Sequence, residues 1–283
     1  MQKSLTYTAT SCRMTGEYDL HYHDAGAGPP LLLLHGSGPG VSAWSNFSEN
    51  IPVFAREHRV LSLDMPGFGD SPAVEWRDLY SRVAADAVRW FLDEHEISEV
   101  DIVGNSMGGN VATEFALAHP DRVRRLVLMG PGGLAVNTFS PAASEGARRL
   151  FEFLADPTRA RMAAWVETMV SDPALVTKEL LDERMNNALR PLAIENTAAI
   201  FATFANPDLD TVAPLWARAS KLQTPTLVVW GRDDRMLPFE GGLFPFRQLP
   251  DAELHVFSRC GHWAQIERKN DFERLVLEFL SRP

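Results

Sequence analysis

The segment Val100-Asp101-Ile102-Val103-Gly104-Asn105-Ser106-Met107-Gly108-Gly109-Asn110-Val111 decides how this chain is read. Val100 to Val103 is a short, mostly apolar run, as a buried strand should be. Met107 to Ala118 has helical spacing and stops at His119-Pro120, where the proline disfavours continuation. Between strand and helix stands Gly104-x-Ser106-x-Gly108. A serine on such a sharp turn presents its hydroxyl, and small neighbours let the turn pass close to adjacent strands. The plainer reading is a Gly-Ser-Gly loop or an N-cap serine. The strand before and the helix after weigh against it.

Working outward, strand and helix signals alternate. Tyr18 to His23, Leu31 to Leu34 and Val60 to Leu63 read as strands, and Leu79 to His95 as a helix. Leu126 to Met129 is a further strand, closed by Gly130-Pro131-Gly132-Gly133. From about Asn137 to Pro207 strand signals vanish and helix formers dominate, as in Glu145–Leu154, Ala160–Val170 and Lys178–Leu189. Alternation resumes with strands at Thr226–Trp230 and Leu254–Phe257 and a helix at Asn270–Leu280. The pattern predicts an α/β-hydrolase fold, a mostly parallel sheet flanked by helices with a helical cap inserted. Residues 1–136 and 208–283 form the expected core and 137–207 the expected cap. An insertion there is placed to cover the carboxyl ends of the strands, where open α/β sheets bind ligands.

Further motifs complete a nucleophilic site. His35-Gly36-Ser37-Gly38-Pro39-Gly40 follows the strand Leu31–Leu34 directly. A tetrahedral intermediate needs backbone N–H donors aimed at its oxyanion. In this fold one is Met107 N–H and the other comes from such a loop. Ser37 N–H is the assignment, with Gly36 or Gly38 of the same substrate-facing loop as alternatives if the register differs. The loop lacks the Lys-Ser/Thr of a phosphate-binding loop. Cys260-Gly261-His262-Trp263 lies just past the last strand, and the chain order serine, acid, histidine makes His262 the base. Gly231-Arg232-Asp233-Asp234 follows the strand Thr226–Trp230 and offers two acids. Asp234 is preferred and Asp233 is the fallback. The acid holds the His262 tautomer and stabilises its imidazolium.

Other features read blandly. His21 and His23 share a strand face, and no further metal ligands are evident beside them. Cys12 and Cys260 are the only cysteines, too few for a disulfide framework. Cys260 reads as a small buried residue. With 283 residues the chain can bury a sizeable core. A formal net charge of −10 disfavours nucleic acid and anionic membranes as partners. The N-terminal stretch lacks the apolar run of a signal peptide, and no segment is apolar enough to span a bilayer. The expectation is a cytoplasmic protein without a membrane partner.

Taken together, HGSGPG, Trp44-Ser45-Asn46-Phe47, GNSMGG, WGRDD and HVFSRCGHWAQIE resemble the meta-cleavage product hydrolases, carbon–carbon bond hydrolases of bacterial aromatic and steroid ring degradation. The resemblance runs from about His21 to Phe279. It implies a small-molecule substrate of the 2-hydroxy-6-oxo-hexa-2,4-dienoate type, cleaved to 2-hydroxypenta-2,4-dienoate and a carboxylic acid. It implies no cofactor, no metal, and a homo-oligomer, a dimer or larger. On the family pattern Ser106, Asp234 and His262 fall on the triad, and Asn46, Asn105 and Trp263 on positions lining the dienoate site. Arg184 falls on a cap arginine that meets the substrate carboxylate, for which a planar guanidinium is suited. Ser37 stands where the family often has glycine. The apolar cap residues Leu150, Phe153, Trp165, Met169, Phe201 and Phe204 are candidates to face the substituent on C6. The resemblance implies ketonisation followed by attack on the C6 carbonyl by Ser106, with direct attack by water as the alternative. Rival functions are a carboxylesterase or lactonase using the same triad, and a non-catalytic receptor on the same fold. Haloalkane dehalogenases and epoxide hydrolases resemble this scaffold with aspartate at the place of Ser106.

Overall fold

The apolar runs of the sequence become the interior of one sheet. A computed structural model of the chain describes residues 8–136, 142–209 and 212–282. Its strands are β1 (Thr10–Thr15), β2 (Asp19–Ala25), β3 (Pro30–Leu34), β4 (Arg59–Leu63), β5 (Val100–Asn105), β6 (Val123–Met129), β7 (Thr226–Gly231) and β8 (Ala252–Phe257). They lie in the order β1-β2-β4-β3-β5-β6-β7-β8. β1 with β2 and β2 with β4 are antiparallel, and every other pairing is parallel.

Alternation along each strand sorts its side chains to two faces. Leu32, Leu34, Ile102, Leu128 and Val228 join one apolar cluster, with Ala84, Val88 and Phe91 of the helix Tyr80–Glu94 and Val111 and Phe115 of the helix Met107–Ala118. Leu31, Leu33, Val103, Val127 and Val229 join the other, covered by Phe47, Phe54 and the C-terminal helix Lys269–Leu280. Burial on both faces explains why these strands read as unbroken apolar runs. β1 had no counterpart in the sequence reading. It is an edge strand whose residues are exposed or half-buried, so no apolar run marks it. β6 starts at Val123, three residues before the expected Leu126, because Arg124 and Arg125 interrupt the run.

Between β6 and β7 come the helices Glu145–Ala155, Arg159–Val166, Lys178–Ala188 and Ala193–Ala205. Ser144, Thr158 and Thr177 start the first three, each accepting a backbone N–H with its hydroxyl. The expected first cap residue, Asn137, lies outside the described residues. Leu150, Phe153, Met162, Trp165, Met169 and Ala188 form a third cluster with Met236 and Trp263, residues of the loops after β7 and β8. That cluster fixes the insertion over the carboxyl end of the sheet. No helix among the described residues is long and apolar enough to cross a membrane.

Candidate active site

The sequence crosses from β4 back past β3 to β5, so a crevice opens where the strand order reverses. Ser106 stands at its β5 side with φ 53 and ψ −113. A non-glycine residue in such a conformation is strained by about 1–3 kcal/mol. Surrounding bonds hold it there. Ser106 N–H donates to Met129 O at 2.8 Å, and Ser106 O accepts from Gly132 N at 2.8 Å and Asn110 N at 3.1 Å. The flanking glycines are required by close approach. A Cβ on Gly104 would lie 2.6 Å from Gly108 O, and one on Gly108 would lie 2.2 Å from Leu34 O.

His262 follows β8, and its Nδ1 donates to Asp234 Oδ2 at 2.7 Å. Asp234 Oδ1 accepts from Met236 N at 2.8 Å and Leu237 N at 2.9 Å. A carboxylate can only accept, so the Nδ1 proton leaves Nε2 as a proton acceptor. Asp233 instead turns outward to Arg232 and Ser171, and the Arg232 hydrogen bond keeps its carboxyl below the usual range. Ser106 Oγ makes no hydrogen bond with any described residue.

A small cavity of about 20 Å³ gathers Gly36, Ser37, Asn46, Asn105, Ser106, Arg184, His262 and Trp263. Val41, Trp165, Met169 and Met236 complete its wall. Gly36 N–H is taken by Asn46 Oδ1 at 2.8 Å, whereas Ser37 N–H and Met107 N–H find no partner among the described residues. Gly38 lies outside the wall; at φ 140 it passes beneath Trp165, and a Cβ there would meet the indole at 2.4 Å. The Met107 side chain points into the core, leaving only its backbone for the site. Asn105 Nδ2 donates to Met129 O at 3.3 Å.

Arg184 is 2% exposed. Its guanidinium carbon sits 4.9 Å from the centroid of the Trp263 ring, and it makes no hydrogen bond or ion pair with any described residue. Arg148, Arg149, Arg159, Arg161, Lys178 and Arg190, the other basic residues of the insertion, each hold an acid. Burial pushes the Arg184 pKa down from its ordinary value, yet arginine remains a cation at neutral pH. A buried cation without a counter-ion costs several kcal/mol, about what an arriving anion can return.

Val41 and Met236 were missed by sequence reasoning. Met236 could have been found, since it stands two residues after Asp234. Among the expected cap residues, Trp165 and Met169 reach the wall; Leu150 and Phe153 pack behind it, Phe201 is only partly buried, and Phe204 is 39% exposed. The strand face of His21 and His23 also needs correction. The fold brings Asp64 and Asp70 beside His21, a group able to hold a metal. Both His21 nitrogens are already engaged, Nδ1 with Asp64 and Nε2 with Ser11, each at 2.7 Å. Asp64 also accepts from Ala43 N at 2.6 Å and Asp70 N at 3.0 Å. These bonds fit a structural network. Cys260 is buried among apolar neighbours, and burial pushes its thiol far up.

This sheet, with a serine on a strained strand-to-helix turn and a His262–Asp234 hydrogen bond beside it, is that of an α/β hydrolase, and the family model for the alpha/beta hydrolase fold matches residues 29–269. A 2-hydroxy-6-oxo-6-phenylhexa-2,4-dienoate hydrolase of Burkholderia cepacia is 41% identical over 93% of this chain and 92% of its own length. A 2-hydroxy-6-oxononadienedioate/2-hydroxy-6-oxononatrienedioate hydrolase of Burkholderia vietnamiensis strain G4 is 41% identical over 94% of this chain and 92% of its own. The solved structure of the 2-hydroxy-6-oxo-6-phenylhexa-2,4-dienoate hydrolase of Rhodococcus sp. strain RHA1 superposes with a TM-score of 0.89 at 30% identity, covering 98% of this chain and 100% of that one. Within the α/β hydrolases, the chain belongs to the meta-cleavage product hydrolases.

Proposed function

We propose that this protein hydrolyses the C5–C6 bond of a 2-hydroxy-6-oxo-hexa-2,4-dienoate formed by ring cleavage of a catechol, giving 2-hydroxypenta-2,4-dienoate and a carboxylic acid. The observation that carries the reading is the unpaired, buried Arg184 in the same cavity as Ser106 and His262. An ordinary esterase needs the triad but not a buried cation beside it.

Each residue has a part. Arg184 takes the C1 carboxylate by a charge-assisted fork. Trp263 stacks on the conjugated chain, and Asn105 meets the C2 hydroxyl or keto oxygen. His262 carries the 2-hydroxyl proton to C5, which leaves a C2 carbonyl as electron sink. Ser106 then attacks C6 while giving its proton to His262 Nε2. Ser37 and Met107 N–H hold the oxyanion. As the C5–C6 bond breaks, its electron pair runs through the C3–C4 double bond to the C2 oxygen, which takes a proton. Water activated by His262 releases the acid from Ser106. We assign residues 137–207 as the cap. A cavity of about 20 Å³ has room for one water molecule, so wall side chains move before a dienoate enters.

The test is optical. Dienolates from an extradiol dioxygenase are yellow, and added protein should bleach them with stoichiometric formation of the acid. Intact dienolates alongside cleaved p-nitrophenyl esters would return the protein to the esterases.

A further inference from the structure

The two relatives compared above are equally similar in sequence, yet their names call for different substrates. One carries a phenyl group on C6; the other is a dioate with a second carboxylate. Resting on the carbon–carbon hydrolase reading, we infer that this chain takes a substrate with a single carboxylate and an uncharged, apolar group on C6.

The argument is one of charge. Among the described residues, Arg184 is the only Lys or Arg in the cavity wall. If it holds the C1 carboxylate, no cation is left for a second one. The remaining histidine, His262, is committed to Asp234. Elsewhere in the insertion every basic side chain already sits in an ion pair, Arg148 and Arg149 sharing Glu152 and Arg159 and Lys178 sharing Asp182. Of the undescribed residues, the internal segments 137–141 and 210–211 read NTFSP and DT, without a Lys, Arg or His, and residues 1–7 carry one lysine, Lys3. The wall facing a C6 substituent is drawn from Val41, Trp165, Met169, Met236 and Trp263, none more than 9% exposed. A carboxylate forced among them would lose its water and meet no cation, since the unpartnered Trp165 Nε1–H is a neutral donor only. An apolar group meets two thioether chains, which are unbranched and adapt to irregular shapes.

The experiment compares three ring-cleavage products by rate of bleaching. They carry on C6 a phenyl group, a 2-carboxyethyl group, or a 3-methylbutyl group, whose branched end copies the shape of the carboxylate without its charge. We expect kcat/KM for the phenyl and 3-methylbutyl compounds to exceed that of the dioate by about 100-fold or more. Comparable rates on all three, or a preference for the dioate, would overturn the inference and leave carbon–carbon hydrolysis standing. A 3-methylbutyl compound as poor as the dioate would also overturn it, since shape and not charge would then discriminate. No bleaching of any compound would instead remove the hydrolase reading beneath it. As a gain-of-function check, Met236→Arg and Met169→Arg should each narrow the gap by raising the dioate rate at least about tenfold.

Discussion

The loops at the carboxyl ends of β5, β7 and β8 and the helical insertion above them face the same cavity in opposite condition. Below, the acid, the histidine and the backbone of the serine are wired in advance, with Ser106 Oγ and the Ser37 and Met107 N–H groups left open: Asp234 accepts from two backbone N–H groups and from His262, and the Ser106 backbone is held at both N–H and C=O. Above, Arg184 has no hydrogen-bond or ion-pair partner among the described residues, and Trp165 Nε1 is buried without one. A group completed by the protein itself is set for chemistry before anything binds. A group left incomplete at a cost in stability is one whose partner comes from outside. On the proposed reading, the contrast places reaction in the core and capture of the carboxylate in the insertion.

The hardest blow to the lower half is Ser106→Ala. Turnover should fall by about 10⁴–10⁶-fold, with the melting temperature unchanged within about 2 °C. Measurable multiple turnover at a per cent of the native rate would show that the hydroxyl is not the nucleophile. The upper half is tested by Arg184→Met. Its kcat/KM on a dienoate should drop about 10²–10³-fold while p-nitrophenyl ester cleavage loses less than about fivefold. Because the variant no longer buries a lone cation, it should also be more stable by about 1–2 kcal/mol in urea titration. A variant that is both less stable and equally impaired on both substrates would erase the distinction between the halves.

Asn46→Ala probes the seam. Loss of the acceptor for Gly36 N–H loosens the loop that carries Ser37, and kcat should fall about tenfold with KM little changed. The smallest effect is expected away from the cavity. The hydrogen bond to Asp64 raises the His21 pKa, and Asp64, despite burial, is held below its usual value by His21, His35 and backbone N–H groups. A raised histidine stabilises the fold fully below its ordinary range and loses that contribution as pH climbs through the raised value. Thermal melts of His21→Phe should therefore differ from the native protein more at about pH 6 than at about pH 9. An equal difference at both would deny the ion pair.

Much of this was legible because it is local. The elbow shows its Gly-x-Ser-x-Gly pattern within five residues, although the close approach that Gly108 permits is to Leu34 O of β3, and parallel strands announce themselves by burial on both faces. The edge strand β1 is silent because it is exposed, and the short helix Ala43–Phe47, which carries Asn46, is too brief to show a period. Which insertion residues would face the cavity was the least readable part. Phe153 and Phe204 look alike in sequence, and only the packing against Met236 and Trp263 buries one and leaves the other at the surface.

The seclusion of Arg184 also has a bearing on how substrate arrives. An approaching dienoate meets a molecule of net charge −10 long before it meets the one cation enclosed at the site. At low ionic strength the repulsion reaches about 30 Å into solution, and at 0.15 M about 8 Å. Electrostatic steering, which speeds many enzymes on charged substrates, here acts in reverse. Capture is expected to quicken as salt is added, until the anion of the salt itself competes for the guanidinium, a crossover that kcat/KM against salt concentration would reveal.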